Sequence, residues 1–333
     1  MDDLNLFLQA DFIGKPAWLW LTFIGIVAAL LSFDLGVLHK HDRPIGVRES
    51  LLLSAGYISM GLLFGAWVWW FLGEQSGIDY FTGFMIEKSL SMDNVFVIAM
   101  IFGFFSIPRE FQHRVLFWGI MGVIVLRALM IGVGAALVGE FSWVLYVFGG
   151  FLLLTGVKML FVTEKPLDLA GNPVIKWMRH HMNISDAFHG SRFWVRLPRP
   201  GASGEAAKQA WFATPLFLAL VLIELADLVF AVDSVPAIFA ITQDPFIVYT
   251  SNIFAILGLR ALYVALAAMV HRFKYLKYAL ALVLVFIGAK IFLVGMVGMI
   301  GKIPAPVSLG VTFGLLLGGV LFSLFKTRRA GVA

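Results

Sequence analysis

Nine long apolar segments follow one another along the 333-residue chain, and polar residues concentrate between them. A helix needs about 20 mainly apolar residues to cross the hydrocarbon core of a bilayer. Each segment is close to that length, so each is predicted to be a transmembrane helix. The predicted spans are Ala17–Leu38, Leu51–Leu72, Tyr80–Phe105, Val115–Val138, Trp143–Phe161, Trp211–Ile241, Phe246–Val270, Tyr278–Met299 and Val307–Phe325.

Composition supports a membrane protein rather than a soluble one. Hydrophobic residues make up 60% of the chain and charged residues 14%, whereas soluble domains average about 25% charged residues. The predicted fold class is an all-α polytopic membrane protein with about nine transmembrane helices. Cysteine is absent, which excludes disulfides, thiolate metal ligands and a cysteine nucleophile. The acidic N-terminus predicts that the first span is retained rather than removed as a signal peptide.

The distribution of basic residues predicts the orientation. Most of the 25 Lys and Arg residues lie in residues 39–50, 106–114, 162–210 and 271–277 and in the C-terminal tail. The opposite connections carry only Lys15 and Lys302. Because basic residues stay on the cytoplasmic side, the N-terminus is predicted outside the cytoplasmic (inner) membrane and the C-terminus inside. The net charge of +5 is then explained by orientation and contact with the lipid bilayer, with no nucleic-acid partner.

Short sequences recur in the same order in two parts of the chain. The sequence "EKSLSMDNV" at Glu87 matches "DLVFAVDSV" at Asp227, and "GVKMLF" at Gly156 matches "GAKIFL" at Gly288, with "LRAL" recurring between them. Each copy covers three spans, so the second copy enters the membrane from the opposite side. This predicts a 3+3 inverted-topology repeat, a design of secondary transporters that places the substrate near the midplane, between the repeats.

The repeat divides the chain into five parts. Residues 1–78 hold the N-terminal extracytoplasmic segment and two transmembrane helices, and residues 79–163 hold the first three-helix repeat. A cytoplasmic basic loop covers residues 164–210, and the inverted second repeat covers residues 211–300. Residues 301–333 form the final transmembrane helix and a basic tail.

Ionisable residues inside the spans are the candidates for function, because burying a charge in a bilayer costs about a few kcal/mol and marks functional sites. Acids that recur in both repeats are the first candidates: Glu87, Asp93, Asp227 and Asp233. Two further acids have no repeat partner, Asp34 and Glu224. Basic residues in the spans are predicted to form supporting ion pairs: Arg127, Lys158, Arg260 and Lys290.

The oxygen-rich character of these positions indicates a cation site. Asn94 and Ser234 follow the two repeat-related aspartates and add neutral oxygens, a combination that suits Mn²⁺, Mg²⁺ or Ca²⁺. The spans contain no His or Cys, which disfavours zinc and copper. The "YTSN" run, Tyr249–Asn252, offers either further ligands or a helix cap. Carboxylates also bind protons, so cation–proton exchange on the same groups is compatible with this site.

Helix geometry limits which acids one ion can reach. Glu87 and Asp93 lie about 120° apart around a regular helix, and Asp227 and Asp233 have the same separation. One ion reaches both acids of a pair only where the helix unwinds, and Pro236 predicts such a break in the sixth span. Without a break, the two acids face different partners, the ion and a neighbouring Arg or Lys.

The sequence resembles a known family at these motifs. "EKSLSMDNVFVIAMIF", together with "ATPLFLALVLIELADLVFAVDSVPAIF", resembles the TerC family of bacterial and plastid membrane proteins, from the first span to about Met299. The run "FHGSRFWVR", Phe188–Arg196, resembles the longer branch that includes the Alx proteins. The resemblance implies a link to manganese efflux and, historically, to tellurite resistance. It carries the acidic residues of the family onto Asp34, Glu87, Asp93, Glu224, Asp227 and Asp233.

The leading hypothesis is a secondary transporter that exports Mn²⁺ through a midplane carboxylate site, with protons as the candidate counter-ion. One alternative is an exporter of another cation such as Ca²⁺, or of an organic solute. The other is a non-transporting scaffold for metal loading or tellurite resistance. No phosphate-binding loop, zinc-protease helix or G-x-S-x-G motif is present, so no catalytic residue is assigned and no enzyme is predicted. Mn²⁺ is a substrate here, and no tightly bound cofactor is predicted.

Overall fold

The helices of the molecule coincide in large part with the apolar segments. The computed structural model describes residues 8–38, 47–141, 143–161, 172–198, 209–259, 262–263, 276–295 and 304–330. Helices in these residues are α1 (Ala17–Leu38), α2 (Val47–Leu72), α3 (Glu74–Phe104), α4 (Arg109–Glu140), α5 (Val144–Phe161), α6 (Pro173–His181), α7 (Pro215–Phe239), α8 (Pro245–Leu257), α9 (Leu276–Gly295) and α10 (Ala305–Ala330).

Several of these helices have the length and hydropathy of membrane spans. Five such stretches occur among the described residues: Arg48–Leu72, Arg109–Glu140, Val144–Phe161, Pro215–Phe239 and Pro306–Lys326. Two shorter apolar stretches lie in α1 and α8. The predicted all-α polytopic membrane fold is therefore confirmed, whereas the number of nine spans and the 3+3 repeat stay predictions.

The predicted polar loop between the fifth and sixth spans contains α6 and a β-hairpin. Two antiparallel hairpins complete the described elements, β1 (Asp11–Phe12) with β2 (Lys15–Pro16), and β3 (Trp194–Pro198) with β4 (Gln209–Ala213). Because Trp211 belongs to β4, the helix of the sixth predicted span, α7, does not begin there as predicted. It begins at Pro215, where a proline suits the first helical turn because the N–H that it lacks would have no partner there.

Each helix of the first predicted repeat packs against its counterpart in the second. The contacting pairs are α3 with α7, α4 with α8, and α5 with α9. Helix α3 also packs against α2, α8 and α10, and α4 also packs against α7. The acidic motifs are thus carried by two helices in mutual contact, in the interior of the bundle.

Helices α5 and α9 approach each other so closely that side chains would separate them. A Cβ atom at Gly156 would lie 2.7 Å from the carbonyl oxygen of Ala281, and one at Gly288 would lie 2.7 Å from that of Gly149. In the repeat, Gly156 corresponds to Gly288 and Gly149 to Ala281, so one contact is made twice with the roles exchanged. Such reciprocity is expected of a two-fold relation between the helices, and it supports the predicted repeat.

The substitution Gly156→Ala is expected to lower the free energy of unfolding by about 1–3 kcal/mol, because the added methyl group meets backbone atoms that cannot rotate away. Thermal unfolding of the purified protein in detergent measures the loss. Gly150→Ala is the matched control, since its Cβ would have only Phe292 nearby, at 3.7 Å. Equal losses in the two variants would contradict the role of this close approach.

Candidate functional site

Arg127 of α4 lies in the interior of the bundle, with 1% of its side chain exposed. Its Nη1 donates hydrogen bonds to Glu87 Oε1, to Ser234 Oγ at 2.9 Å and to Asn252 Oδ1 at 3.0 Å. Its Nε and Nη2 donate to the two oxygens of Asp227, at 3.3 and 3.2 Å. The guanidinium therefore joins α3, α7 and α8 through charge-assisted hydrogen bonds, which are stronger than neutral ones.

The spacing of buried residues on α4 explains why Arg127 points inward. Gly119, Val123, Arg127, Ile131 and Gly134 are all buried, and residues three or four apart share one face of a helix. Gly134 on this face leaves room for Phe239 of α7, because a Cβ atom there would lie 2.7 Å from that ring. An arginine on such a face cannot reach water, so it needs negatively charged partners inside the bundle.

The polar side chains around Arg127 are arranged symmetrically on α3 and α7. Asn94 Nδ2 of α3 donates to Asp227 Oδ1 of α7 at 3.0 Å. Ser234 of α7 lies close enough to the Glu87 carboxylate of α3 to interact with it. Because Asn94 corresponds to Ser234 and Glu87 to Asp227 in the repeat, the neutral residue of each motif lies near an acid of the other motif. The two acidic motifs therefore meet at one centre.

Three buried oxygen atoms near this centre lack a hydrogen-bond donor among the described residues. They are Glu87 Oε2, Asn94 Oδ1 and Glu224 Oε2. A buried acceptor without a donor costs about 1–3 kcal/mol, so such atoms indicate where a further donor or a cation fits. Within the described side chains, no group of three or more His, Asp or Glu is placed to hold a metal ion.

Glu224 lies one helical turn before Asp227 on α7 and packs against α4. A Cβ atom at Gly122 would overlap the Glu224 carboxylate, whereas one at Gly119 would lie 3.5 Å from its nearest neighbour, Ile223 Cγ2. The absence of a side chain at position 122 therefore makes room for the carboxylate of Glu224.

Two of the predicted ion-pair residues lie apart from this centre. Lys158 is exposed on α5. Lys290 of α9 donates to Ser308 Oγ of α10 at 3.3 Å, and the acid that acts on it electrostatically is Asp79. Asp79 lies in the first turns of α3, so Lys290 belongs to a polar cluster near that end of the bundle.

Four of the predicted site residues have side chains outside the described residues: Asp34, Asp93, Asp233 and Arg260. Their roles stay predictions. The backbone of α7 nevertheless answers the question of a helix break, because α7 is continuous from Pro215 to Phe239. The predicted unwinding at Pro236 is therefore wrong. Pro236 lies in the last turn of α7, where a missing N–H donor helps to end the helix without interrupting it.

Asn252, which the sequence offered either as a further ligand or as part of a helix cap, is a member of the centre. The cap of α8 is Asp244, whose Oδ1 accepts a hydrogen bond from the backbone N–H of Phe246 at 3.0 Å. The cap interpretation of "YTSN" is therefore wrong for Asn252, which is fully buried inside α8 and accepts from Arg127. The run of polar residues within an apolar helix was the sequence feature that pointed to Asn252.

Comparison with known proteins adds the family. Residues 72–331 match the Integral membrane protein TerC family. A protein of Rickettsia bellii (strain RML369-C), named "Uncharacterized membrane protein", is 47% identical over 307 residues, which cover 92% of this chain and 97% of the relative. "Uncharacterized membrane protein STKORF319" of Myxococcus xanthus is 45% identical over 318 residues, or 96% of this chain and 95% of the relative.

A third relative carries a functional name. "Putative membrane-bound redox modulator Alx" of Escherichia coli (strain K12) is 44% identical over 314 residues, which cover 92% of this chain and 93% of the relative. No solved structure matches the chain. The family match includes α3 and α7 with both acidic motifs, and the relatives cover nearly the whole chain. The protein therefore belongs to the TerC family of integral membrane proteins.

Proposed function

We propose that the protein exports Mn²⁺ through the acidic centre between α3 and α7. The supporting observation is that two buried carboxylates, Glu87 and Asp227, converge inside an apolar helical bundle with Asn94 Oδ1, which has no donor among the side chains described. Such oxygens are suitable ligands for Mn²⁺, Mg²⁺ and Ca²⁺. We choose Mn²⁺ among these ions because the resemblance to the family implies a link to manganese efflux.

Transport would follow from relative motion of the two three-helix repeats. In inverted-repeat transporters, one repeat rocks against the other around a site at their interface. The contact between α3 and α7, the first helices of the two predicted repeats, supports such a site. Asp93 and Asp233 would extend the site along the same two helices. Exchange of Mn²⁺ for protons on these carboxylates would couple export to a proton gradient, which would supply the driving force.

A non-transporting scaffold is the second candidate, and the ion pairs of Arg127 favour it. One guanidinium pairs with both Glu87 and Asp227, as expected of a salt bridge that holds three helices together. The redox role in the name of the Escherichia coli relative is harder to transfer, since the 333 residues include no cysteine for thiol chemistry.

Flux measurements on the purified full-length protein in liposomes test the proposal. An internal dye quenched by Mn²⁺ should respond faster than in protein-free liposomes when Mn²⁺ is added outside. Asp93→Ala and Asp233→Ala should lose the response at equal protein incorporation, and cells that express them should lose manganese tolerance. Both acids lie in the motif shared by the repeats, so each is expected to be necessary.

The possible outcomes separate the candidate functions. Absence of wild-type flux under a Mn²⁺ gradient, with and without a pH gradient, would support the scaffold. Equal competition by Ca²⁺ would support an exporter of another cation. Wild-type flux that persists in both aspartate variants would remove the repeat-related acids from the mechanism.

A further inference from the structure

We infer that Arg127 is an internal cation that occupies the carboxylates of the site when no metal is bound, and that the metal binds by displacing it. The inference rests on the proposed function and describes how the same site is regulated. It also accounts for the coexistence of a cation-binding centre with a complete buried salt bridge.

The first argument is that Arg127 and a shared metal ion need the same atoms. The guanidinium binds Glu87 Oε1 and both oxygens of Asp227. Asp227 Oδ1 also accepts from Asn94. An ion held by both acids would approach these same oxygens from the space that the guanidinium fills. Arg127 and the metal are therefore alternative occupants of one position.

The second argument is charge balance. Arg127 and the two carboxylates together carry one negative charge, and a divalent ion added to all three would leave one positive charge buried. The ion and the two carboxylates without Arg127 are neutral. Buried charge that is not compensated is strongly unfavourable, and repulsion between guanidinium and metal is large in a medium of low dielectric constant. Binding of a divalent ion therefore favours release of Arg127 from the two carboxylates. The same rule requires the released guanidinium to gain another acceptor or contact with water, so its release must accompany a movement of α4.

The third argument distinguishes this device from a purely structural salt bridge. A network that serves only to hold helices together gains most when all its buried acceptors are satisfied. Here Glu87 Oε2 and Asn94 Oδ1 have no donor among the described residues. Both atoms belong to side chains that already contact Arg127 or Asp227, so a cation entering beside the guanidinium meets further oxygen ligands.

Release of Arg127 would connect metal occupancy to helix position. Arg127 is carried by α4, which packs against both α7 and α8. With Arg127 in place, the metal-free site is partly neutralised, so the empty transporter can change its conformation without a bound metal. Without Arg127, the carboxylates would need a metal for that step. A variant that lacks Arg127 is then expected to exchange Mn²⁺ for Mn²⁺ across the membrane but to lose net transport.

Equilibrium binding of Mn²⁺ to the purified full-length protein is the decisive measurement, because it does not require transport. Arg127→Gln is expected to bind Mn²⁺ at least about tenfold more tightly than the wild type, a difference of about 1.4 kcal/mol. Arg127→Lys is expected to show a smaller increase, since a lysine ammonium cannot reproduce the planar fork that bonds two carboxylates at once. Unchanged or weaker binding in the folded variants would overturn the inference.

Two further measurements complete the test. If Arg127→Gln fails to fold, Arg127→Lys decides alone: tighter Mn²⁺ binding than in the wild type would support the inference, and equal or weaker binding would overturn it. In liposomes that show wild-type net flux, Arg127→Gln should retain Mn²⁺ exchange while net flux falls by at least about tenfold, and equal loss of both would count against the role in the empty transporter. Missing wild-type flux combined with tighter binding in the variant would reject the proposed export but retain the competition.

Discussion

Replacing Asp227 with alanine is expected to abolish Mn²⁺ export and to lower the free energy of unfolding by about 3–5 kcal/mol. The change removes the group that accepts from two nitrogens of Arg127 and from Asn94. Arg127 is then left with one carboxylate, and the Asn94 amide loses its acceptor. Breaking a buried ion pair from one side is costly because the remaining charge stays away from water.

Glu224→Gln is the matched control for this effect on stability. Glu224 lies one turn earlier on α7, and its Oε2 has no donor among the described residues. Neutralising it removes charge without breaking an ion pair described in the structure, so the thermal unfolding midpoint in detergent should stay near that of the wild type. If the two variants lost stability equally, the contribution assigned to the Arg127–Asp227 pair would be wrong.

The substitution Gly122→Ala is expected to reduce Mn²⁺ flux about tenfold, as changes in groups that position metal ligands commonly do. The new methyl group overlaps the Glu224 carboxylate, which must move from its place beside Asp227. The free energy of unfolding should change little, because the end of a flexible side chain can shift and alanine gains about 1 kcal/mol over glycine within a helix.

Gly119→Ala provides a close control on the same helix. Its Cβ would lie 3.5 Å from Ile223, an ordinary contact, so flux should equal that of the wild type. Glu224→Gln should reproduce the flux defect of Gly122→Ala if the glycine acts through this carboxylate. A normal flux in Gly122→Ala, with the carboxylate shown to have moved, would exclude Glu224 from the path of the ion.

These predictions place Arg127 in a different role from the one that hydropathy suggests. On sequence grounds it belongs with Lys158, Arg260 and Lys290 as one of several supporting ion pairs. The structure separates it from two of them, because Lys158 is exposed and Lys290 bonds to Ser308. Arg127 contacts Glu87 and Asp227 at once, and this double contact makes it a candidate competitor for the metal.

Much of the candidate site was predictable because the cost of burying charge in a bilayer is so high. Acids within apolar segments are retained only with a use or a partner, and their recurrence at Glu87 and Asp227 predicted that two helices would meet at them. It was not predictable that Arg127, among the four basic residues in the spans, would pair with both of these acids. Helical periodicity shows which residues share a face, but not which face of another helix lies opposite.

The sequence by itself determined the all-α membrane fold, the approximate positions of the long helices and the acidic motifs, because long apolar runs and buried charges have few physical solutions. Only the tertiary structure decided that Arg127 joins Glu87 and Asp227, that Asn252 belongs to the same centre and that Gly122 makes room for Glu224. These contacts depend on the rotation and separation of packed helices. Those quantities come from side-chain packing over the whole bundle, which no local sequence pattern contains.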